Sequence, residues 1–468
     1  MLFFRFLCCF NNYITQLCTC YRSTENKKTS AQVSANSDFG IFIFFCVLYC
    51  LAIFLYKKIA RLTSHHSLLF SPNNEYTILN LSNYKPCDQI QLLFSLMFTV
   101  ILSTVSSLMY IYACQRIYSI PLIRNSFSKK LFNATVYTFW IFFFISLIIG
   151  HDGSGPFSEA LEFFAMNFLG TLFLITTFLL LTELLTGFGL FFKSASGNIR
   201  GGGIIIALLL SLFALTQGLQ APVISPYEIT LTGLPSELDQ TVLVAVSDLH
   251  LGSQLNETWL KKRIDQIKTL NPDLVVLIGD TVEGHNPIPN SISMQFQSLN
   301  PPLGLWAVTG NHEFFRGMEK NIHFFNKSHI SLLRNRWAEI KPGLIIAGVD
   351  DLTYAKRLGS NKNLITKTLA NHPPGALILL SHSPWQAEQA AKLGTNLMLS
   401  GHTHDGQIWP FNYLVRQFYP LIAGYYKIGS MQAVISRGTG TWGPRMRLWK
   451  RGEILQITLR AEQKILKY

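Results

Sequence analysis

Residues 242–252 read Val-Leu-Val-Ala-Val-Ser-Asp-Leu-His-Leu-Gly. Five apolar residues make a short buried strand, and it ends in Asp248 and His250, a carboxylate and an imidazole of the kind that hold metal ions. Downstream, Thr258–Leu270 places Leu260, Ile264 and Ile267 at helical spacing, and Leu274–Ile278 is a second apolar strand. Strand, helix and strand form a βαβ unit, so a largely parallel sheet starts here. In such a sheet the functional groups gather at the carboxyl ends of the strands.

The same design recurs. Leu274–Ile278 is followed by Gly279-Asp280, Trp306–Thr309 by Gly310-Asn311-His312-Glu313, Ala376–Leu380 by Ser381-His382, and Leu397–Leu399 by Gly401-His402-Thr403-His404. The runs Leu344–Val349, Ala433–Ser436 and Ile454–Leu459 supply further strands. A lone Asp-x-His reads as a turn or a helix cap; five blocks in order do not. All eight cysteines lie at or before Cys114, so a metal site in this part must use nitrogen and oxygen. Aspartates, imidazoles and an asparagine fit two divalent ions, which need a bridging carboxylate, neutral imidazoles and open positions for a hydroxide and a phosphate oxygen. This donor set points to manganese, iron or zinc in preference to magnesium alone.

These five blocks resemble the calcineurin-like metallophosphoesterases over about residues 236–468. Ser247–Gly252 together with Gly401–Gln407 is most similar to the membrane-anchored bacterial branch and its eukaryotic transmembrane relatives. The resemblance implies an α/β domain of two mixed sheets sandwiched by helices. It also implies that Asp248, His250 and His404 hold one metal, that Asn311, His382 and His402 hold the other, and that Asp280 bridges them. By the same resemblance His312 is no ligand but stabilises the transition state or protonates the leaving group, with Glu313 available to orient it. Asp405 stands where this branch usually has glycine, an extra carboxylate able to crowd or recharge the rim.

The rest of the chain has a different texture. Of 468 residues, 49% are hydrophobic and only 14% charged, which excludes disorder and argues against a wholly soluble protein. Five runs are expected to cross a membrane as helices: Phe39–Tyr56, Leu92–Cys114, Leu131–Gly150, Leu161–Leu185 and Ile204–Leu219. They divide the chain into a tail over 1–38, an all-α membrane region over 39–220, a linker over 221–240 punctuated by Pro222, Pro226, Gly233 and Pro235, and the metallophosphoesterase domain over 241–468. The net charge of +13 is read as basic loops at a membrane surface and not as a nucleic-acid footprint. Loop 115–130 carries four basic residues, loop 151–160 none, and loop 186–202 carries Lys193 and Arg200. With the N-terminus inside, ten loop and tail cations fall on the cytoplasmic side against four outside, which puts the catalytic domain outside the cytoplasm of the cell membrane. Glu183, near the end of the fourth span, is expected to be a solvated helix end.

The function expected is hydrolysis of a phosphodiester, pyrophosphate or phosphomonoester, on a lipid or envelope substrate, by attack of a metal-activated hydroxide. The alternative is a membrane receptor or sensor whose domain binds a phosphorylated ligand; an unliganded His312 favours turnover, since binding alone has no need of it. Arg437, Arg445 and Arg447, flanking Trp442, read either as an arginine clamp for phosphate or as a solvated hairpin. Trp409 and Phe411 read either as lipid contacts or as core. His285, His323, His329 and His372 belong to no block and receive no role.

Overall fold

The computed structural model describes residues 86–152, 155–283, 288–357 and 363–462. The chain divides into two units; Met1–Tyr56, with the first expected span, lies outside the described residues, and so does His285. All that follows concerns the unit Lys57–Tyr468.

Among the described residues, four long helices come first: α1 (Pro86–Tyr118), then after the short α2 (Pro121–Ser126) α3 (Lys129–Asp152), α4 (Pro156–Leu185) and α5 (Ser196–Leu219). Each contains a stretch long and apolar enough to cross a membrane. Pro156 starts α4 because a first-turn N–H has no helical partner to lose. The start of α5 differs from the sequence expectation by eight residues, since Gly201-Gly202-Gly203 is helical and not loop. The reason is packing: a Cβ on Gly203 would lie 2.7 Å from Thr182 Cγ2, so glycine lets α5 close on α4. Trp140 of α3 stacks on Tyr110 of α1 at 4.2 Å.

Glu183 is not a solvated helix end. It is fully buried, accepting from Arg200 Nε at 2.6 Å and Nη2 at 3.2 Å, with Arg116 Nε 3.2 Å away. Arg200 also donates to Ser119 Oγ at 3.0 Å. Nothing local in the sequence reveals that two cations from other helices meet this carboxylate. The cluster gathers the loops 115–130 and 186–202 at one end of the bundle.

The α/β domain follows at once. Where a linker was expected over 221–240, the structure has β1 (Val223–Leu231). With β2 (Thr241–Val246), β3 (Leu274–Ile278), β4 (Leu305–Val308), β5 (Ser331–Leu332) and β12 (Glu453–Ala461) it forms a six-stranded sheet, ordered β1-β12-β2-β3-β4-β5. The second sheet is β10-β11-β9-β8-β7-β6, from β6 (Arg336–Lys341), β7 (Leu344–Gly348), β8 (Ala376–Leu380), β9 (Leu397–Ser400), β10 (Gly424–Ile428) and β11 (Met431–Ile435). Both are mixed: β12 pairs antiparallel with β2 and β7 with β6, while β2-β3-β4 and β7-β8-β9 are parallel.

Both faces of the central strands are dry. Leu243, Ala245, Val276 and Ile278 meet Ile346, Ile378, Leu380 and Leu399 between the sheets. The alternate residues Val244, Val246, Val275 and Leu277 pack under Leu260, Ile264 and Ile267 of α6 (Glu257–Lys268) and under Phe296 of α7 (Asn290–Gln297). Burial on both sides is why these strands read as unbroken apolar runs.

The domain lies along the helices. Its segment carrying Ile408, Met446 and Leu448 shares a core with Leu174 of α4 and with Ala207 and Ala214 of α5. Arg447 N–H donates to Ala214 O at 2.8 Å, Arg445 N–H to Asn167 Oδ1 at 3.0 Å, and Ser253 Oγ to Glu162. Trp409 and Phe411 face the helices as well, Trp409 against Phe178 at 6.5 Å and Phe411 edge-on to Phe173 at 6.0 Å.

Candidate metal centre

The five sequence blocks all sit at strand ends on one rim of the sandwich. Asp248 and His250 follow β2, Asp280 follows β3, Asn311 to Glu313 open α8 (Asn311–Arg316) after β4, His382 follows β8, and His402 and His404 follow β9. Backbone bonds lace the blocks together: Asp248 N–H to Gly279 O at 3.1 Å, His250 N–H to Asp280 O at 2.9 Å, and Gly401 N–H to His382 O at 2.8 Å. Asp248, His250, Asp280, His402 and His404 all have left-handed backbone, φ between 46° and 71°. Non-glycine residues avoid that region at a cost of about 1 kcal/mol each, so the rim stores strain where its side chains converge. Gly401 is required by close approach, since a Cβ there would lie 2.5 Å from Asp248 Oδ2 and 2.6 Å from Ser247 Oγ.

Seven side chains converge. His404 Nε2 lies 3.3 Å from Asp248 Oδ1 and 3.2 Å from His250 Nε2. His382 Nε2 lies 3.0 Å from Asp280 Oδ2 and 3.2 Å from His402 Nδ1. Two of the ligand groups are Asp248, His250, His404 and Asp280, His382, His402, and a third joins Asp280 to His250 and His312, so Asp280 stands between them. Asn311 Oδ1 is buried without a hydrogen-bond partner. Paired ring nitrogens 3.2 Å apart, an orphaned amide oxygen and two buried carboxylates suit cations between them, and the donor set fits two divalent ions.

The outer partners choose which nitrogen is offered. His382 Nδ1 donates to Ile278 O at 2.7 Å, which leaves Nε2 for a metal. His402 Nε2 meets Tyr419 Oη at 2.8 Å, leaving Nδ1. Ser247 Oγ donates to Asp248, and Arg447, wholly buried, holds the loop behind His404 by donating to Arg437 O at 2.8 Å and Gly440 O at 2.7 Å.

Burial would raise the pKa of Asp248 and Asp280, but the imidazoles of His404 and His382 outweigh it and hold both well below the carboxylate range. Burial would lower His250, yet Glu283, Asp280 and Asp248 raise it to about 9; Asp280 and Asp248 likewise raise His382 well above its ordinary value. For His402, burial and then His382 prevail and lower it to about 4, and burial also lowers His404 and His312.

His312 stands beside the cluster, its ring edge-on to that of His250 at 4.8 Å, while its backbone N–H donates to Asp280 Oδ1 at 2.9 Å. The acid that faces it is Glu283, with Oε1 3.6 Å from His312 Nδ1 and Oε2 3.3 Å from His250 Nδ1. Glu313 does something else. Its buried carboxylate accepts from the N–H groups of Asp280 at 3.0 Å, Thr281 at 2.7 Å, Val282 at 3.2 Å and Gly310 at 2.7 Å, and so ties the second block to the third. Burial, with Asp280 beside it, pushes its pKa up. Arg437 pairs with Glu453 at 2.7 Å, and Arg445 donates to Gln254 O at 2.6 Å, so both are engaged away from the cluster. Asp405 turns out to Lys450 Nζ at 3.0 Å, and its φ of 53° explains why glycine suits that position. Sequence reading missed Glu283 and Tyr419; Glu283 is three residues past Asp280 in the same loop, whereas nothing local marks Tyr419.

Comparison with known proteins agrees with this geometry. The sequence profile of the family described as Calcineurin-like phosphoesterase matches residues 241–406. An uncharacterized metallophosphoesterase of Aquifex aeolicus is 33% identical over 254 residues, 51% of this chain and 92% of that protein. The proteins named transmembrane protein with metallophosphoesterase domain of Danio rerio and Bos taurus are each 30% identical, over 57% and 55% of this chain. The match spans 64% and 62% of the length of those two relatives. The chain belongs to the calcineurin-like phosphoesterase family. It is a membrane protein, with four apolar helices of spanning length among its described residues.

Proposed function

We propose that this protein is a membrane-bound, two-metal phosphoesterase acting on a lipid-linked phosphodiester, pyrophosphate or phosphomonoester. The observation that carries the reading is Asp280, which stands in a ligand group with His382 and His402 and in another with His250 and His312, and so lies between the two ends of the cluster. Asp248, His250 and His404 would hold one ion, Asn311, His382 and His402 the other, with Asp280 common to both; manganese, iron or zinc suits these donors better than magnesium alone. When bound, the ions supply Lewis acidity, giving a nucleophile at neutral pH and neutralising charge on the phosphoryl oxygens. The chain's own residues do the rest. Glu313 fixes the loops that present Asp280 and Asn311, Tyr419 and Ile278 O orient two imidazoles, and His312, whose pKa burial lowers although Asp280 and Glu283 partly offset it, is the group placed to pass a proton to the departing oxygen.

The lipid-linked substrate is supported by the docking of the domain. β1 begins at Val223, just past the end of α5 at Leu219, and the domain is held on α4 and α5, so the site does not wander on a long tether. A site fixed at the surface gains effective concentration for substrates confined to the same bilayer. The orientation, with the domain outside the cytoplasm, is supported by the Arg116–Glu183–Arg200 cluster. That cluster sits about 27 Å along α5 from Gly218, which packs on the domain, and it gathers the two basic loops at the other end.

The test is turnover by purified, detergent-solubilised protein of phosphomonoesters, phosphodiesters and lipid pyrophosphates with each of several divalent metals. Hydrolysis of at least one class, lost on chelation, is expected. Binding without turnover across the panel would contradict the reading.

A further inference from the structure

Trp442 is 42% exposed and belongs to neither core nor cluster, yet it is held firmly. Its backbone N–H donates to Gln407 Oε1 at 3.0 Å and its backbone carbonyl accepts from Gln407 Nε2 at 3.0 Å, which fastens this stretch of backbone to the loop that carries His404. The ring stands 6.2 Å from that of His312 on one side and 6.2 Å from that of Phe98 on the other. Phe98 belongs to α1, a helix of membrane-crossing length and composition, and is itself exposed together with Met97, Ile101 and Val105. On a spanning helix such exposed apolar side chains have hydrocarbon for solvent. An aromatic path therefore runs from the lipid-facing surface of α1 to the histidine at the reaction centre.

We propose that Trp442 and Phe98 form a rail that binds the hydrocarbon chain of an amphipathic phosphoester while its phosphate reaches the metal cluster and His312. The inference rests on the hydrolase reading and deepens it. The occupant is an acyl or prenyl chain because the rail is continuous with a surface whose surroundings are lipid chains. A water-soluble phosphoester without an aromatic base would gain nothing from two exposed aromatic rings leading away from the site. Tryptophan also suits the place where a chain meets a polar headgroup, being apolar over its face and polar at its N–H.

The experiment compares kcat/KM for a long-chain lipid phosphoester in mixed micelles with that for its short-chain soluble analogue, in wild type, Trp442→Ala, Phe98→Ala and, as a control exposed on α5, Leu212→Ala. The long-to-short ratio is expected to fall by about tenfold or more in the first two variants, mostly through KM, and to hold in the control. A ratio unchanged by Trp442→Ala and Phe98→Ala overturns the rail. The rail can also be read without turnover: a non-hydrolysable phosphonate with a brominated chain should quench emission in wild type more than in Trp442→Phe. Equal quenching overturns the rail, whereas quenching by the phosphonate with no turnover of either ester supports the rail and removes the hydrolase reading instead.

Discussion

Replacing Glu313 with glutamine separates two roles for this acid. Its oxygens accept from four buried backbone N–H groups, two on each oxygen. An amide keeps one oxygen and turns an NH2 group toward the other two donors, so two buried N–H groups lose their acceptor. Each such loss costs about 1–3 kcal/mol, or about 2–6 kcal/mol in all. At 1.4 kcal/mol per decade that is roughly 1.5 to 4 orders of magnitude in the opening of the loop that carries Asp280. Hydrogen exchange on the purified full-length protein reads it directly: the amides of residues 280–282 should lose protection by that factor, and metal should leave faster to a competing chelator. If Glu313→Gln keeps both protection and metal and loses only rate, and only for poor leaving groups, the carboxylate acts through His312 and the lacing role is wrong.

Other outcomes follow from the same geometry. His312→Ala should retain both metals and lose roughly two to four orders of magnitude in kcat for alkyl esters, with a smaller loss for nitrophenyl esters; equal losses would leave His312 only an electrostatic part. In the metal-free protein His250, at about 9, and His382 carry protons at neutral pH. Metals bind the deprotonated rings, so affinity should fall as pH falls below about 9 with close to two protons released per chain, measured by calorimetry in buffers of different ionisation enthalpy; no proton release would contradict it. Gly401→Ala should push Asp248 aside and weaken the metal held with His250 and His404, and metal analysis retaining two full equivalents would refute that close approach.

Most of the catalytic fold was legible because the central strands are apolar on both faces and end abruptly in ligand types. The strands that escaped are edges or near them. β1 has Pro226 inside it and partly exposed residues, so it read as linker until its partner β12 is known, and β6 and β10 are half-exposed strands with charged residues. The ligands were readable one block at a time, but their outer partners were not. Tyr419 reaches His402 across the helix Phe411–Phe418, and Glu183 meets cations from two other helices, contacts that only chain folding brings about. Glu313 stands out in the sequence only by its place next to His312, and that proximity says nothing of the four backbone N–H groups its carboxylate accepts from.

In the proposed function, Asp280 serves two metals that together hydrolyse a phosphoester. Stepwise addition of manganese to metal-free wild type, with turnover followed at each step, tests it most directly. Activity should appear as the second equivalent per chain binds, and Asp280→Asn should retain neither ion nor activity. Full activity at one equivalent, or an Asp280→Asn protein that keeps one full equivalent, would contradict it.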